Sequence, residues 1–270
     1  MTRRLGPVDM IGLTIVAEHY GIRMDDLAEM FAISRRSAYR RAQRWREAGM
    51  VAAIGVRPVP GPTWVFIRKS AAEALLGFPV HSWAPTPKMA DHVRTVLRVR
   101  LALVGMDLDR WVSERVLRSE VGRVKAGESR PHIHDGRWLD SEGRWWAVEV
   151  ELTAKNLAAA KTAVYKAAHT AKAAELDGLI YYCRTEWINT DGTTRRSDQI
   201  HTVVREAAGY AMDQIDGLSF RVAKLEEVLT TNNKDENAHA RPGLRVIEGG
   251  ASDHGNQDGT RGDTGKAASS

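Results

Sequence analysis

Apolar residues recur at mainly helical spacing over residues 7–20, where Met10, Ile11, Leu13, Ile15, Val16 and Tyr20 form one face and Gly21 supplies a stop. A first helix is predicted there. A shorter helix follows in MDDLAEMFAI, with Asp25 and Asp26 at its start and Leu27, Met30 and Phe31 at i, i+3 and i+4. Ser34 is placed to cap a third helix, in which Ala38, Ala42 and Trp45 make an inward stripe before Gly49 ends it. The pattern then turns β-rich. Val51–Val56 and Thr63–Arg68, separated by the Pro/Gly-rich PVPGP, predict a hairpin.

Phe78–Lys88 holds three prolines and predicts a linker, residues 78–88, between two units. Beyond it the chain predicts a long amphipathic helix from Met89 to about Val104, an ambiguous stretch around RWVSERVLRSE, and β-rich runs near Ile133 and in WWAVEVEL. A helix from about Asn156 to Glu175, an apolar strand Gly178–Cys183, a helix from about Ser197 to Asp213 and a strand Leu218–Ala223 complete the series. Alternating helices and strands predict an α/β sheet domain over residues 89–229. Residues 230–270 turn to Asn, Gly, Asp, Ser and Thr, with Leu244–Ile247 the one apolar run, and predict a disordered tail. No internal repeat and no Gly-rich nucleotide loop is present.

Composition narrows the function classes. The 270 residues, 43% of them hydrophobic, are enough for one or two ordinary cores. The single cysteine, Cys183, excludes an internal disulfide, and no Cys/Cys/His spacing suggests zinc, so a reducing, cytoplasmic setting is expected. No apolar run is long enough for a membrane span, and no membrane partner is expected. The formal charge of +5 is modest for this length, so its distribution matters more than its total.

That distribution is uneven. Between Ser34 and Met50 stand Arg35, Arg36, Arg40, Arg41, Arg44 and Arg46 against Glu47 alone. A helix so charged can enter a DNA major groove, where arginine forks meet guanine edges or phosphates while the apolar stripe docks on the first two helices. Arg57, Arg68 and Lys69 flank the predicted hairpin and could reach the phosphate backbone. A plain solvated helix face is the alternative. Three helices followed by a hairpin, with Ala28–Ser34 leading into RRSAYRRAQRW, resemble a winged helix-turn-helix over residues 7–77. Double-stranded DNA is the partner that this implies.

The densest chemistry lies between Arg130 and Lys155. In WAVEVEL, Val148, Val150 and Leu152 point to one face of a strand and Glu149 and Glu151 to the other. Two carboxylates side by side on a buried strand repel one another and cost several kcal/mol unless a cation compensates them. A divalent metal held by hard oxygen ligands would do so, with Asp135 as the third acid, 14 residues before Glu149. The turn-rich DSEG, Asp140–Gly143, could fold the two segments together. Alternating Val and Glu is also how an exposed edge strand reads. His132 and His134 have the i, i+2 spacing of metal ligands, yet are read here as solvated or structural. Trp138, Trp145 and Trp146 read as packing residues, and Lys161, Tyr165, Lys166, His169 and Lys172 as a solvated helix face.

The arrangement of Asp135, Glu149 and Glu151 resembles the PD-(D/E)xK nuclease superfamily, with His134 where proline usually precedes the aspartate and Glu151 where lysine is more common. The resemblance implies Mg2+, or Mn2+, held by Asp135, Glu149 and Glu151, with Lys155 near the scissile phosphate. An upstream acid, Glu114, would support them, and Glu120 is a rival for that place. Together with the N-terminal unit, HIHDG, VEVELTxK and SER look like the actinobacterial replication-relaxation type of plasmid and mobile-element protein. That likeness implies a DNA endonuclease acting in replication or maintenance, with a homodimer and replication or mobile-element proteins as further partners. The alternative is a DNA-binding initiator or regulator whose nuclease-like fold does no catalysis.

Overall fold

Four helices and two short strands build the N-terminal half. Helix α1 (Pro7–Glu18) starts on a proline, whose missing N–H costs nothing in a first turn. Strand β1 (Gly21–Arg23), α2 (Met24–Met30) and α3 (Arg35–Glu47) follow. The Ser34 hydroxyl accepts the Ser37 N–H at 3.3 Å and caps α3, whose Ala38, Ala42 and Trp45 are buried as their spacing predicts. These elements come from a computed structural model that describes residues 4–59, 61–122, 131–189 and 191–235.

The predicted hairpin forms only in part. Strand β2 (Trp64–Phe66) pairs antiparallel with β1, while Val51 and Val56 contribute single bridges to Ile67 and Trp64. Between those bridges the chain bends outward, leaving Ile54 78% exposed, so no continuous ladder develops. Helix α4 (Lys69–Leu76), which the sequence reading does not anticipate, buries Ala71 and Ala72 and ends at Gly77, whose φ of +77° suits a residue without Cβ. Residues 78–86 are irregular, as their prolines predict, but Val80 and Pro85 are buried.

Helix α5 (Pro87–Val104) begins inside the predicted linker, on Pro87, and serves both halves of the molecule. Its Leu97 belongs to the N-terminal core with Leu13, Val16 and Trp45, whereas Val96 and Val99 pack under the sheet. Polar contacts follow the same seam. Arg94 forks onto Asp26 at 2.7 and 2.8 Å. Arg100, 0% exposed, donates to the carbonyls of Gly105 and Asp107 at 2.8 and 3.0 Å and lies 3.8 Å from Glu18.

The ambiguous segment resolves into β3 (Trp111–Ser113) and α6 (Glu114–Val121), and Arg115 of α6 donates to the carbonyls of Ala17 and His81 at 2.8 and 3.0 Å. Next come β4 (Gly136–Leu139), β5 (Trp145–Glu151), α7 (Leu157–Ala173) and β6 (Gly178–Cys183). A small exposed hairpin, β7 (Glu186–Ile188) with β8 (Thr194–Arg196), is followed by α8 (Gln199–Met212), β9 (Ser219–Lys224) and α9 (Leu225–Asp235). The expected strand near Ile133 starts instead at Gly136, which lies so close to Trp111 that a Cβ would meet its ring at 2.3 Å.

Five strands form a mixed sheet in the order β3-β4-β5-β6-β9, antiparallel as far as β5 and parallel beyond it, so the chain has the expected α/β character. Helices α7 and α8 cover one face and α5 and α9 the other. Strand β6 is buried along its whole length, as a strand between two helical layers must be. Helix α9 overruns the predicted start of the tail because Leu225, Val228 and Leu229, at i, i+3 and i+4, pack under the sheet. The rest of that predicted tail, 236–270, lies outside the described residues. No helix among the described residues is long and apolar enough to cross a membrane.

Two outcomes test this seam. Leu97→Ala should cost about 2–5 kcal/mol in a denaturant melt, the range for emptying a closed core site. Burial holds the Glu18 carboxyl up at about 7 despite the nearby Arg100 guanidinium. A carboxyl whose folded pKa exceeds its unfolded value binds its proton more tightly when folded, so its stabilising effect is fully present below about pH 4.5 and is lost as pH rises through 7. Glu18→Gln should flatten that fall, which is worth at most roughly 3 kcal/mol, in thermal melts across that range.

Candidate functional site

Strand β5 is central in the sheet, with β4 on one side and β6 on the other, which removes the exposed-edge reading of its glutamates. Its alternation is the predicted one. Val148 and Val150 face α5 and α9, and Ala147 faces α7 and α8. Glu149 and Glu151 follow Ala147 to that second side, and each keeps only 13% of its side chain exposed.

Asp135 reaches the same corner from β4. Gly136 pairs with Val148, so the residue before it stands beside Glu149 and Val150. The Asp135 Oδ2 accepts the Val150 N–H at 2.8 Å, and Oδ1 meets Nε2 of His92, from α5, at 2.9 Å. Glu149 is held differently. Its Oε1 lies 2.6 Å from His132 Nε2 and 2.9 Å from His134 Nδ1. His134 is 1% exposed, so of the two readings, solvated or structural, it takes the structural one, with Glu149 as its partner.

These partners drive the two carboxyls apart. Burial opposes ionisation of Glu149, but the hydrogen bonds from His132 and His134 outweigh it and hold the carboxyl down at about 2. Burial wins at Asp135, where the carboxyl is raised in spite of the His92 hydrogen bond and the Glu149 charge adds to the rise. Burial also opposes the charging of both His92 and His132, yet hydrogen bonds to Asp135 and Glu149 lift each imidazole above its ordinary range.

Glu151 pairs with Lys155 and accepts from the Thr153 N–H and hydroxyl at 3.3 and 3.2 Å. With Tyr181, Ile200 and Val204 these residues line a crevice between the sheet and helices α7 and α8. Burial lowers the Lys155 ammonium, opposed by the charges of Glu149 and Asp135. Glu114 opens a separate cleft that it shares with Asp135, His92 and Tyr20. There its Oε2 accepts the Tyr20 hydroxyl at 3.2 Å and its Oε1 the Arg118 guanidinium at 2.9 Å. Its rival Glu120 is exposed.

Metal-binding donors gather at one point among the described residues, and they are His132, His134 and Glu149, whose ligand atoms lie within 4.8 Å of one another. Asp135, Glu149 and Glu151 do not form such a group. Magnesium takes oxygen ligands at near-octahedral geometry and keeps several waters. Two imidazoles on one carboxylate, with both Asp135 oxygens already engaged, do not fit that requirement. His92 escapes sequence reasoning, because nothing in DHVRTVL distinguishes it from a solvated helix residue. The HIH spacing was the available signal for the other two.

On the N-terminal half the predicted DNA-contacting residues divide in two. Arg35, Arg36 and Arg40 of α3 are exposed, as are Arg57, Arg68 and Lys69. Arg41 and Arg44 instead approach the Asp9 carboxylate of α1 at 3.5 and 3.6 Å, and Asp9 also accepts the Trp45 indole N–H at 3.0 Å. Arg41 further stacks 3.8 Å above the Phe31 ring. Both therefore help to dock α3, although they still line a shallow groove with Ser37 and Arg40.

The Asp135–His92 contact has a direct readout. Asp135→Asn keeps an acceptor for the Val150 N–H and removes the charge, so the His92 titration followed by NMR should move to lower pH. An unchanged midpoint would remove the pairing from the site.

Comparison of the chain with protein-family models, with curated proteins and with solved structures finds no match.

Proposed function

We propose that this chain binds duplex DNA through a winged helix-turn-helix in its N-terminal half and hydrolyses DNA phosphodiesters at the corner formed by β4 and β5. A plasmid or other mobile element in replication or maintenance is the setting that the sequence resemblance favours. The observation that carries the reading is the meeting of Asp135, just before β4, with Glu149 of the neighbouring β5, and Lys155 in electrostatic range of both. Buried carboxylates shifted in opposite directions are how a site divides proton-holding from charge-holding tasks.

The roles follow from exposure and charge. Lys155 and Glu151, at the rim, would meet a phosphate and its attacking water. Asp135 and His92 share a contact through which a proton can be held or passed. A divalent ion, when bound, would polarise the phosphate and acidify a water. Arg35, Arg36 and Arg40 would contact groove or phosphate, and Arg57, Arg68 and Lys69 the flanking backbone.

A second reading has its own support. Every one of the three acids already has an internal partner: His92 for Asp135, His132 and His134 for Glu149, Lys155 for Glu151. Charges so answered do not demand an ion, and a DNA-binding regulator without catalysis would keep them for stability.

Two assays separate these readings. Supercoiled DNA incubated with the full chain and a divalent metal should be nicked by the wild type and spared by Asp135→Asn; equal products from both would sink the site. Gel shifts in EDTA should persist, and Arg40→Ala should weaken them with a salt slope smaller by about 1. Binding without nicking under any metal selects the second reading.

A further inference from the structure

The molecule offers several other candidates: the crevice at Lys155, the shallow groove on α3, the open surface between β8 and α9, and the exposed hairpin tips at Ile54 and Ile188. Each lacks a feature that would identify a ligand. The histidine pair on Glu149 has one, because three donors from two chain segments converge on a single point.

We propose that His132, His134 and Glu149 form a binding site for a first-row transition metal that accepts imidazole, zinc or cobalt in type, and not for magnesium. His132 Nε2 and His134 Nδ1 approach one oxygen of Glu149 at 2.6 and 2.9 Å, an N, N, O donor set. Imidazole and carboxylate together suit zinc and its neighbours, whereas magnesium selects oxygen. The i, i+2 spacing brings the two rings to the same side, with centroids 5.1 Å apart.

Burial adds rigidity. His134 is 1% exposed, so packing fixes its ring with Nδ1 on the Glu149 oxygen at 2.9 Å. A ligand held in one orientation before the ion arrives loses little freedom on binding. Metal–nitrogen bonds of about 2.0–2.1 Å in a tetrahedral site set ligand atoms roughly 3.3 Å apart, so each nitrogen has to draw back from the Glu149 oxygen by about 0.4 to 0.7 Å while the three donors, now within 4.8 Å of one another, close round the ion. His132, with about a quarter of its side chain exposed, is the movable member and the entry side. An ion and a proton compete for the same ring nitrogens, so uptake weakens as pH falls.

This inference deepens the proposed hydrolytic reading by naming the ion of that corner, but it is measured without DNA, so loss of cleavage and loss of metal are scored separately. The full chain, stripped with chelator, is dialysed against zinc with magnesium in excess and its metal content measured. About one zinc per chain is expected. His132→Gln should weaken retention at least about 10-fold, the scale on which metal sites respond to smaller changes, and His81→Gln on the exposed segment before α5 should not. The cobalt-loaded wild type should show visible ligand-field bands that His132→Gln loses. Equal zinc retention by wild type and His132→Gln, displacement of zinc by equimolar magnesium, or a wild-type cobalt spectrum identical to aqueous cobalt would each overturn the assignment. Because the last two are read on the wild type, they hold even where the variant melts early.

Discussion

Helix α5 is shared by two hydrophobic cores, and the rest of the molecule depends on that sharing. Leu97 completes the packing of α1 and α3 while Val96 and Val99, one and two residues away and so on other sides of the helix, close the underside of the sheet. A helix held on both sides cannot act as a tether. Arg94 on Asp26, Arg115 on the Ala17 carbonyl and Arg100 beside Glu18 then remove the remaining freedom across the seam. Taking guanidinium groups out of water is costly, and the cost is met only where geometry lets several acceptors surround each one. The two halves are therefore fixed in register, and α5 brings His92 to Asp135 as α1 and its following turn bring Tyr20 to Glu114.

That fixed register shapes the electrostatics of the β4–β5 corner. Two buried carboxylates at the end of the β4–β5 pairing cannot both ionise without help, and the help is distributed unequally. Glu149 receives two imidazoles and stays charged, whereas Asp135 receives one imidazole and a backbone N–H and is raised. The difference arises from neighbours on other segments, His92 from α5 and His132 and His134 from the run before β4. It is this inequality, more than the presence of acids, that gives the corner a chemical character.

The basic helix is divided by similar physics. Asp9 sits below α3 and draws Arg41 and Arg44 inward, so part of the positive charge serves to dock the helix against α1. Arg35, Arg36 and Arg40 do not reach Asp9 and stay exposed, Arg40 with a donor on the Ser37 hydroxyl at 3.3 Å. A count of arginines overstates the charge available to an anionic partner, because part of it docks the helix.

Periodicity alone sufficed for the long regular elements. The stripe Ala38, Ala42 and Trp45, the Ser34 cap, the facing of Glu149 and Glu151 and the bounds of Gly178–Cys183 are local consequences of residue order. Short elements such as α4 and the β7–β8 hairpin were not legible, since a few residues carry too little pattern and form only because neighbours bury or pair them. The pairing of β2 with β1, the histidines on Glu149 and the arrival of His92 43 residues upstream of Asp135 belong to tertiary structure for the same reason. Sequence spacing determines which face a side chain shares with its near neighbours. Only the folded chain decides which distant charge answers it, because a carboxylate's partner is set by distance in space and by the water that packing excludes.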